Sequence, residues 1–314
     1  MLKSLLLLGV IGTAHGQVTF EAYQKAQFDA ITGFTPIVTV LANATLALYH
    51  EAVVYHPPSQ SVFVTSNQFV NKNDDPYPAT SNKHIQLSRV YDNGTVEVVS
   101  FPGIGGAILN GGVNFDSSSI LFCAQGSKNI SDLSGLIRLP IPTAEEPSPT
   151  PETVLGSFYG TQFNSPNDVV IHPKDRSIWF TDPPYGFYQG IRPQPQLPSH
   201  VYRYDAETGS VRVIVNNIVR PNGISLSPDL RTLYVTDTGA VQGNASVPFD
   251  PTGPSHIYAY DITYPNGQSE PMVSNKRVFA FALGRSPDGI NATHVEMFTQ
   301  LLWKGSRCGI MKVP

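Results

Sequence analysis

One sequence unit recurs along this chain, and the recurrence limits the possible folds more than any other feature. Each copy opens with a polar residue, continues with a short run of apolar residues and reaches a second apolar run after a turn. The opening residues lie 55 to 66 positions apart, and they are Glu51, Asn110, Asn167, Asn222 and Asp288. A repeat of this length is typical of supersecondary units that stack on one another.

Each unit contains four strand-like runs bounded by Gly, Pro, Asn or Asp. In the copy that opens at Asn222, these runs are 223–227, 232–236, 256–261 and 276–282. Four antiparallel strands in each unit predict an all-β chain built from β-propeller blades. Only 14% of the residues are charged, and 26 glycines and 27 prolines favour turns over long helices. A β-sandwich is the alternative, but sandwiches do not repeat polar residues with this period.

The five opening residues all carry side-chain oxygen. Because the innermost strands of a propeller line its central channel, equivalent positions in successive blades are expected to meet near the axis. Two carboxylates and up to three amide carbonyls form an oxygen-only set that suits Ca²⁺, whereas no His and Cys spacing typical of zinc occurs. Asn and Asp also begin strands after turns for conformational reasons, but five recurrences in phase favour a shared site.

Asp182 and Asp237 form a second repeated pair, fifteen positions after Asn167 and Asn222 respectively. Each ends a second strand beside a turn that contains Gly or Pro. For these two residues, capping of the turn is at least as consistent with the pattern as chemistry is.

Two stretches of the chain resemble one known family. Residues 164–170 read NSPNDVV and are followed by FTDP at 180–183, and residues 220–224 read RPNGI and are followed by YVTD at 234–237. These motifs resemble the gluconolactonase/regucalcin (senescence marker protein) family, and within it the secreted fungal lactonohydrolases. The similarity covers most of the chain as far as Ile290. It implies a six-bladed β-propeller with a Ca²⁺ at its centre and hydrolysis of sugar lactones or related esters.

The same resemblance implies roles for individual residues. The family's metal ligands correspond to Glu51, Asn167, Asn222 and Asp288. Its polar substrate-side groups correspond to Asn110 and Asn114. The related paraoxonases use a histidine pair near the metal, and this sequence shows no matching motif, so their mechanism is not carried over.

These residue types suit hydrolysis of a small hydroxylated lactone. The carbonyl oxygen of a lactone gains negative charge when water attacks, and a cation that is open on one side stabilises that charge. A carboxylate beside the metal can accept the proton of the water. We assign this role to Asp288, as general base or as direct nucleophile, and we expect Glu51 to anchor the metal.

Two other functions fit the same residues. Hydrolysis of a phosphotriester or fluorophosphate would use similar ligands and a pocket of different shape. A secreted calcium-binding or scaffolding propeller without turnover is the alternative from a different class, because a fold alone does not define a function. A nucleic acid is a poor partner for a chain with a formal charge of −4 and no basic block.

The first sixteen residues predict a secretory signal peptide. Residues 1–16 combine Lys3, a short apolar run and a small-residue cleavage site, and the run is far shorter than a membrane span. A buried strand is the alternative. Five glycosylation sequons agree with a secreted glycoprotein, and they begin at Asn43, Asn93, Asn129, Asn244 and Asn291. Two cysteines, Cys123 and Cys308, do not define a disulfide framework, and their pairing and the oligomeric state stay open.

The unit pattern predicts a propeller domain over residues 17–290 and an atypical tail over residues 291–314. The tail is less than half of one unit, so the last blade is expected to be truncated. Two explanations are open. The tail is a gene-model artefact, or the protein is a truncated variant with unpaired strand edges that favour aggregation.

Overall fold

The computed structural model describes residues 48–70, 83–244, 246–265, 270–292, 298–303 and 308–311. The predicted signal peptide lies outside these residues. Strands dominate the described part, which also contains the helices α1 (Ile104–Ala107) and α2 (Tyr185–Tyr188) and a 3-10 turn at Pro57–Ser59. None of the helices in this part has the length and apolar character needed to cross a bilayer. The all-β class expected from the sequence is therefore confirmed.

The strands follow one another closely along the chain. In order they are β1 (Glu51–His56), β2 (Ser61–Thr65), β3 (Phe69–Val70), β4 (Lys83–His84), β5 (Leu87–Tyr91), β6 (Val96–Val99), β7 (Leu109–Asn114), β8 (Ser119–Ala124), β9 (Gly135–Pro140), β10 (Glu152–Leu155), β11 (Ser157–Phe158), β12 (Thr161–Gln162), β13 (Val169–Ile171), β14 (Ile178–Asp182), β15 (His200–Asp205), β16 (Ser210–Val215), β17 (Pro221–Leu226), β18 (Thr232–Asp237), β19 (His256–Thr263), β20 (Met272–Phe281), β21 (Ser286–Ala292), β22 (Phe298–Trp303) and β23 (Cys308–Met311).

Antiparallel pairing groups these strands into successive sheets that follow the repeat. Four sheets have four strands each, in the orders β1-β2-β5-β6, β7-β8-β9-β10, β13-β14-β15-β16 and β17-β18-β19-β20. A fifth sheet has the order β21-β22-β23, and the pairs β3-β4 and β11-β12 form small ribbons. The first strand of each sheet contacts the first strand of the next. This is how successive blades of a β-propeller are arranged.

An apolar core fills the space between each pair of successive sheets. Strand β14 shows how one sheet serves two cores. Ile178 and Phe180 pack against the preceding sheet, while Trp179 between them packs against the following one. Because both faces are covered, every residue of β14 is buried, as is every residue of β2 and β8.

Cys123 of β8 is a buried free thiol whose pKa is raised by burial.

The last described sheet extends past the boundary expected at Ile290. Strand β21 continues to Ala292, β22 pairs with β21, and β23 pairs with β22. Strand pairing therefore continues past Ile290. The domain boundary and the artefactual origin of residues 291–314 stay predictions.

Adjacent sheets approach most closely beside the opening residues of the repeat. Gly223 follows Asn222 in β17, and a Cβ atom there would lie 2.5 Å from the carbonyl oxygen of Asp288 and 2.7 Å from the amide nitrogen of Ile290. Only a residue without a side chain allows this approach.

We expect Gly223→Ala to lower the free energy of unfolding by about 1–3 kcal/mol, because backbone atoms of the next sheet must move to admit the methyl group. Urea unfolding measures this change. Gly156→Ala is the matched control, because its nearest neighbour would lie at an ordinary distance of 3.5 Å. Equal losses of stability in the two variants would contradict this account of the packing.

Candidate functional site

A cavity of about 400 Å³ opens where the first strands of the sheets begin. All five opening residues of the repeat line it, namely Glu51, Asn110, Asn167, Asn222 and Asp288. They come from five different sheets or from the turns that lead into them. The structure thus brings together the residues that the sequence pattern placed in phase, and their chemical roles stay predictions.

The backbone is irregular where most of these side chains leave it. Register shifts interrupt the pairing of first and second strands at four places, which are Glu51/Val54, Leu109/Gly112, Pro221/Ile224 and Pro287/Ile290. An extra residue in one strand bends that strand and re-aims its side chain. The repeated irregularity therefore turns the opening residues towards the cavity.

Buried threonine hydroxyls hold the opening residues in place from the neighbouring sheet. Thr181 donates to the carbonyl oxygen of Asn222 at 2.7 Å, and Thr236 donates to that of Asp288 at 2.9 Å. The Thr236 hydroxyl also accepts from the amide of Gly223 at 2.7 Å. Each hydroxyl thus fixes a candidate ligand of one sheet to the second strand of the sheet before it.

Sequence analysis missed these threonines, although they carry a repeated signal. Each ends a second apolar run, as in Val64-Thr65, and Thr65 makes the equivalent contact with the carbonyl oxygen of Asn110 at 3.4 Å. The second sheet has Ala124 at the corresponding end of its strand. Threonine stands directly before both Asp182 and Asp237, so alignment of the whole second runs across the copies would have found this feature.

Asp182 and Asp237 cap backbone amides. The Asp182 carboxylate accepts from the amides of Asn164 at 2.9 Å and Ser165 at 2.8 Å, and Asp237 accepts from the amide of Arg220 at 3.0 Å. Both are fully or almost fully buried. Both carboxylates therefore hold the segment that leads into the first strand of their own sheet.

Asn114 does not reach the cavity. It lies four residues beyond Asn110 in β7, which is about 13 Å along an extended strand. Its side-chain amide donates to the carbonyl oxygen of Tyr55 at 2.7 Å. Asn110 thus lines the cavity and Asn114 does not, and the substrate-side roles of both stay predictions.

Three buried carboxyl groups lie close enough to influence one another. Burial raises the pKa of Glu51 well above its ordinary range, and the charges of Asp288 and Asp168 raise it further. Burial also raises the pKa of Asp288. Asp168, which sequence analysis did not single out, has its pKa raised to about 7 although it accepts from the amides of Ile224 and Val169.

The side chains present fit a hard divalent cation. Oδ1 of Asn110 and Oδ1 of Asp288 are buried, and neither has a hydrogen-bond partner within the described part of the chain. Buried oxygens without partners are costly, and neighbouring carboxylates repel one another, so a cation would relieve both effects. The described residues contain no group of three or more His, Cys, Asp or Glu that could hold a metal ion. A metal here would therefore depend on the asparagine oxygens as well as the two carboxylates.

Two further titratable residues line the cavity. Tyr185 of α2 is buried beside Asn222, its hydroxyl hydrogen-bonds to Thr238, and burial raises its pKa, so the phenol stays neutral. His50 precedes Glu51, with 3.9 Å between Nε2 and Oε1, and burial lowers its pKa. Neither position recurs in the repeat, which explains why sequence analysis missed both.

The comparisons with known proteins agree on one family. The family model described as "SMP-30/Gluconolactonase/LRE-like region" matches residues 85–308. Lactonohydrolase oryL of Aspergillus oryzae (strain ATCC 42149 / RIB 40) is 28% identical over 319 residues, which cover 93% of this chain and 67% of that protein.

Solved structures show the same fold at lower identity. A gluconolactonase from Xanthomonas campestris superposes with a TM-score of 0.56 at 21% identity, covering 85% of this chain and 78% of that one. The calcium-binding protein regucalcin from Agrobacterium tumefaciens str. C58 superposes with a TM-score of 0.54 at 16% identity, covering 88% and 81% respectively.

The raised pKa of Asp168 predicts a pH dependence of stability. Its carboxyl keeps its proton in the folded protein at pH values where the unfolded chain has lost it, so its contribution to stability falls as pH rises from about 4 to 7. We subtract the free energy of unfolding of Asp168→Asn from that of the wild type. In EDTA, this difference should fall by about 1–3 kcal/mol as pH rises through this window.

Urea unfolding of both proteins at several pH values measures this difference, and the subtraction cancels the titration of shared groups that do not interact with Asp168. Excess Ca²⁺ should make the decline smaller, because a bound cation favours the ionised carboxylates. A difference that does not change with pH, or that is the same in EDTA and in Ca²⁺, would contradict the electrostatic account.

Proposed function

The chain belongs to the SMP-30/gluconolactonase/LRE-like family, and we propose that it is a secreted, calcium-dependent enzyme that hydrolyses a small hydroxylated lactone in its central cavity. The observation that carries the proposal is the meeting of two carboxylates and three amides in one cavity, with unpartnered oxygens on Asn110 and Asp288. The lactonohydrolase and gluconolactonase names of its relatives support the reaction class.

We propose that the complete fold is a six-bladed propeller whose last blade is incomplete. The described residues supply five successive sheets, and the fifth has three strands where the others have four. Secretion and glycosylation rest on the sequence features of the N-terminus and the sequons.

Glu51, Asn167, Asn222 and Asp288 would hold the metal, with Ca²⁺ favoured by their oxygen chemistry. Regucalcin from Agrobacterium tumefaciens, which has the same fold, is described as a calcium-binding protein. When bound, the cation acts as a Lewis acid on the lactone carbonyl. Asn residues are neutral, so such a set leaves more net positive charge at the site than carboxylates alone would.

The side chains perform the remaining work. Asp288 accepts a proton from the water that attacks the carbonyl carbon, the bond from that carbon to the ring oxygen breaks, and the ring oxygen takes up the proton to give a hydroxy acid. Glu51 anchors the cation, and Asn110 binds a substrate hydroxyl. Tyr185 lies beside Asn222 and supports its position.

We expect Asp288→Asn to lower kcat for aldonolactones by about 10²- to 10⁴-fold, because the amide cannot accept the proton of the water. A pH-stat assay of acid release measures this loss, and circular dichroism checks the fold. Asp229→Asn, at an exposed turn, is the control that should keep full activity. Full activity of Asp288→Asn would refute its role, and hydrolysis of phosphotriesters alone would favour the alternative enzyme class.

Glu51→Gln should raise the Ca²⁺ concentration needed for half-maximal activity by about tenfold or more, because one of two ligand charges is lost. Titration of Ca²⁺ into EDTA-treated enzyme gives this value, with Glu97→Gln of β6, which is exposed, as control. An unchanged Ca²⁺ requirement would count against the metal centre. Calcium binding by a wild type that hydrolyses no lactone would instead support a non-catalytic propeller.

A further inference from the structure

The cavity has one apolar side that the proposed chemistry does not use. The opening residues supply a polar part of the lining, which we call the polar floor, and the long loop between β18 and β19 (described residues 238–244 and 246–255) supplies much of the rest. The apolar side chains that this loop contributes to the lining are Val241, Val247, Pro248 and Phe249. We name these four residues the apolar wall.

Hydrogen bonds within the loop close its base and fix its shape. The amide of Ala240 donates to the carbonyl oxygen of Pro254 at 2.7 Å, and the amide of Asp250 donates to that of Ala240 at 2.9 Å. Arg220, whose side chain is almost fully buried, donates to the carbonyl oxygen of Gly239. The loop is therefore a folded unit with a defined position beside the cavity.

Contacts with α2 and with Gln189, the residue that follows α2, hold the loop beside the cavity. The side-chain amide of Asn244 donates to the carbonyl oxygen of Tyr188 at 3.2 Å. Gly243 fits so closely that a Cβ atom there would lie 2.8 Å from Nε2 of Gln189 and 3.0 Å from Cδ1 of Tyr185. Tyr185 also lies beside Asn222, so one tyrosine packs against both the loop and an opening residue.

Part of this wall is apolar surface that stays exposed within the described part of the chain. Val247 is 37% exposed, Pro248 is exposed, and Phe249 is half-buried. A lactone with hydroxyl groups on every side would place polar atoms against this surface and lose hydrogen bonds to water. An alkyl or aryl group placed there would instead bury apolar area on both partners, at roughly 25 cal/mol for each Å².

We infer that the substrate is a lactone that carries an alkyl or aryl substituent on its ring. The oxygens of the ring face the polar floor, and the substituent lies against Val247 and Phe249. The volume of about 400 Å³ lies within the range of sites for ligands larger than a bare ring. This inference rests on the proposed lactonase function and narrows its substrate class.

A series of lactones with increasing chain length tests the inference in the full-length, Ca²⁺-loaded enzyme. The probes are γ-butyrolactone, γ-hexalactone and γ-nonalactone, with δ-gluconolactone as the fully hydroxylated comparison. We expect kcat/KM to rise by about two- to fourfold for each added methylene until the wall is covered, mainly through a lower KM.

Two wall variants separate this effect from catalysis. Phe249→Ser and Val247→Ser should each raise KM for γ-nonalactone by about three- to tenfold and leave γ-butyrolactone unchanged. Val213→Ser is the matched control, because Val213 is also 37% exposed but lies on β16 and does not line the cavity. Val247→Ser keeps the test valid if Phe249→Ser fails to fold, because Val247 is already exposed.

Calorimetry with 5-alkyl-2-pyrrolidinones, which keep the ring and the chain but resist hydrolysis, gives a readout apart from turnover. Affinity should increase with chain length in the wild type and lose that dependence in Val247→Ser. Hydrolysis of lactones with no dependence on chain length, or wall variants that behave like Val213→Ser, would overturn the inference and leave the lactonase proposal intact. A wild type that hydrolyses no lactone of the series would end both.

Discussion

The structure depends on a close contact repeated between neighbouring sheets, at which a polar residue leaves an irregular first strand and is held by the sheet before it. Gly223 permits this contact, and the Thr236 hydroxyl bridges the amide of Gly223 and the carbonyl oxygen of Asp288. The hydrogen bonds that join two sheets therefore also set the positions of candidate metal ligands. Packing and chemistry share the same few atoms, so neither can change without the other.

This arrangement explains how a site can form from residues that are far apart in the chain. Glu51 and Asp288 lie in different sheets, yet both carboxyl groups line the same cavity. Burial favours the protonated form of each. Such crowding is unfavourable without a counter-charge. A site of this kind stores electrostatic repulsion that a divalent cation relieves on binding, which couples metal affinity to stability and pH.

The sequence predicted the parts of the molecule that repeat. The in-phase positions of Glu51 and Asp288 identified residues that share one cavity, because equivalent positions in stacked units must meet. The sequence pattern did not identify cavity residues in segments outside the repeat, and it does not take account of distance along a strand. Tyr185 lies in a short helix that is not part of the repeat. Asn114 lies four positions beyond Asn110 along β7. The apolar wall belongs to a single long loop, so no repeated sequence pattern predicts it.

We propose that oxygens from four sheets or their leading turns bind one divalent ion. A crystal structure of the Ca²⁺-loaded protein, with an anomalous difference map, tests this directly. We expect a single peak about 2.3–2.6 Å from side-chain oxygens, and the expected ligands are Glu51, Asn167, Asn222 and Asp288. A map with no peak in the cavity at saturating Ca²⁺, or with a peak bound by other residues, would contradict it.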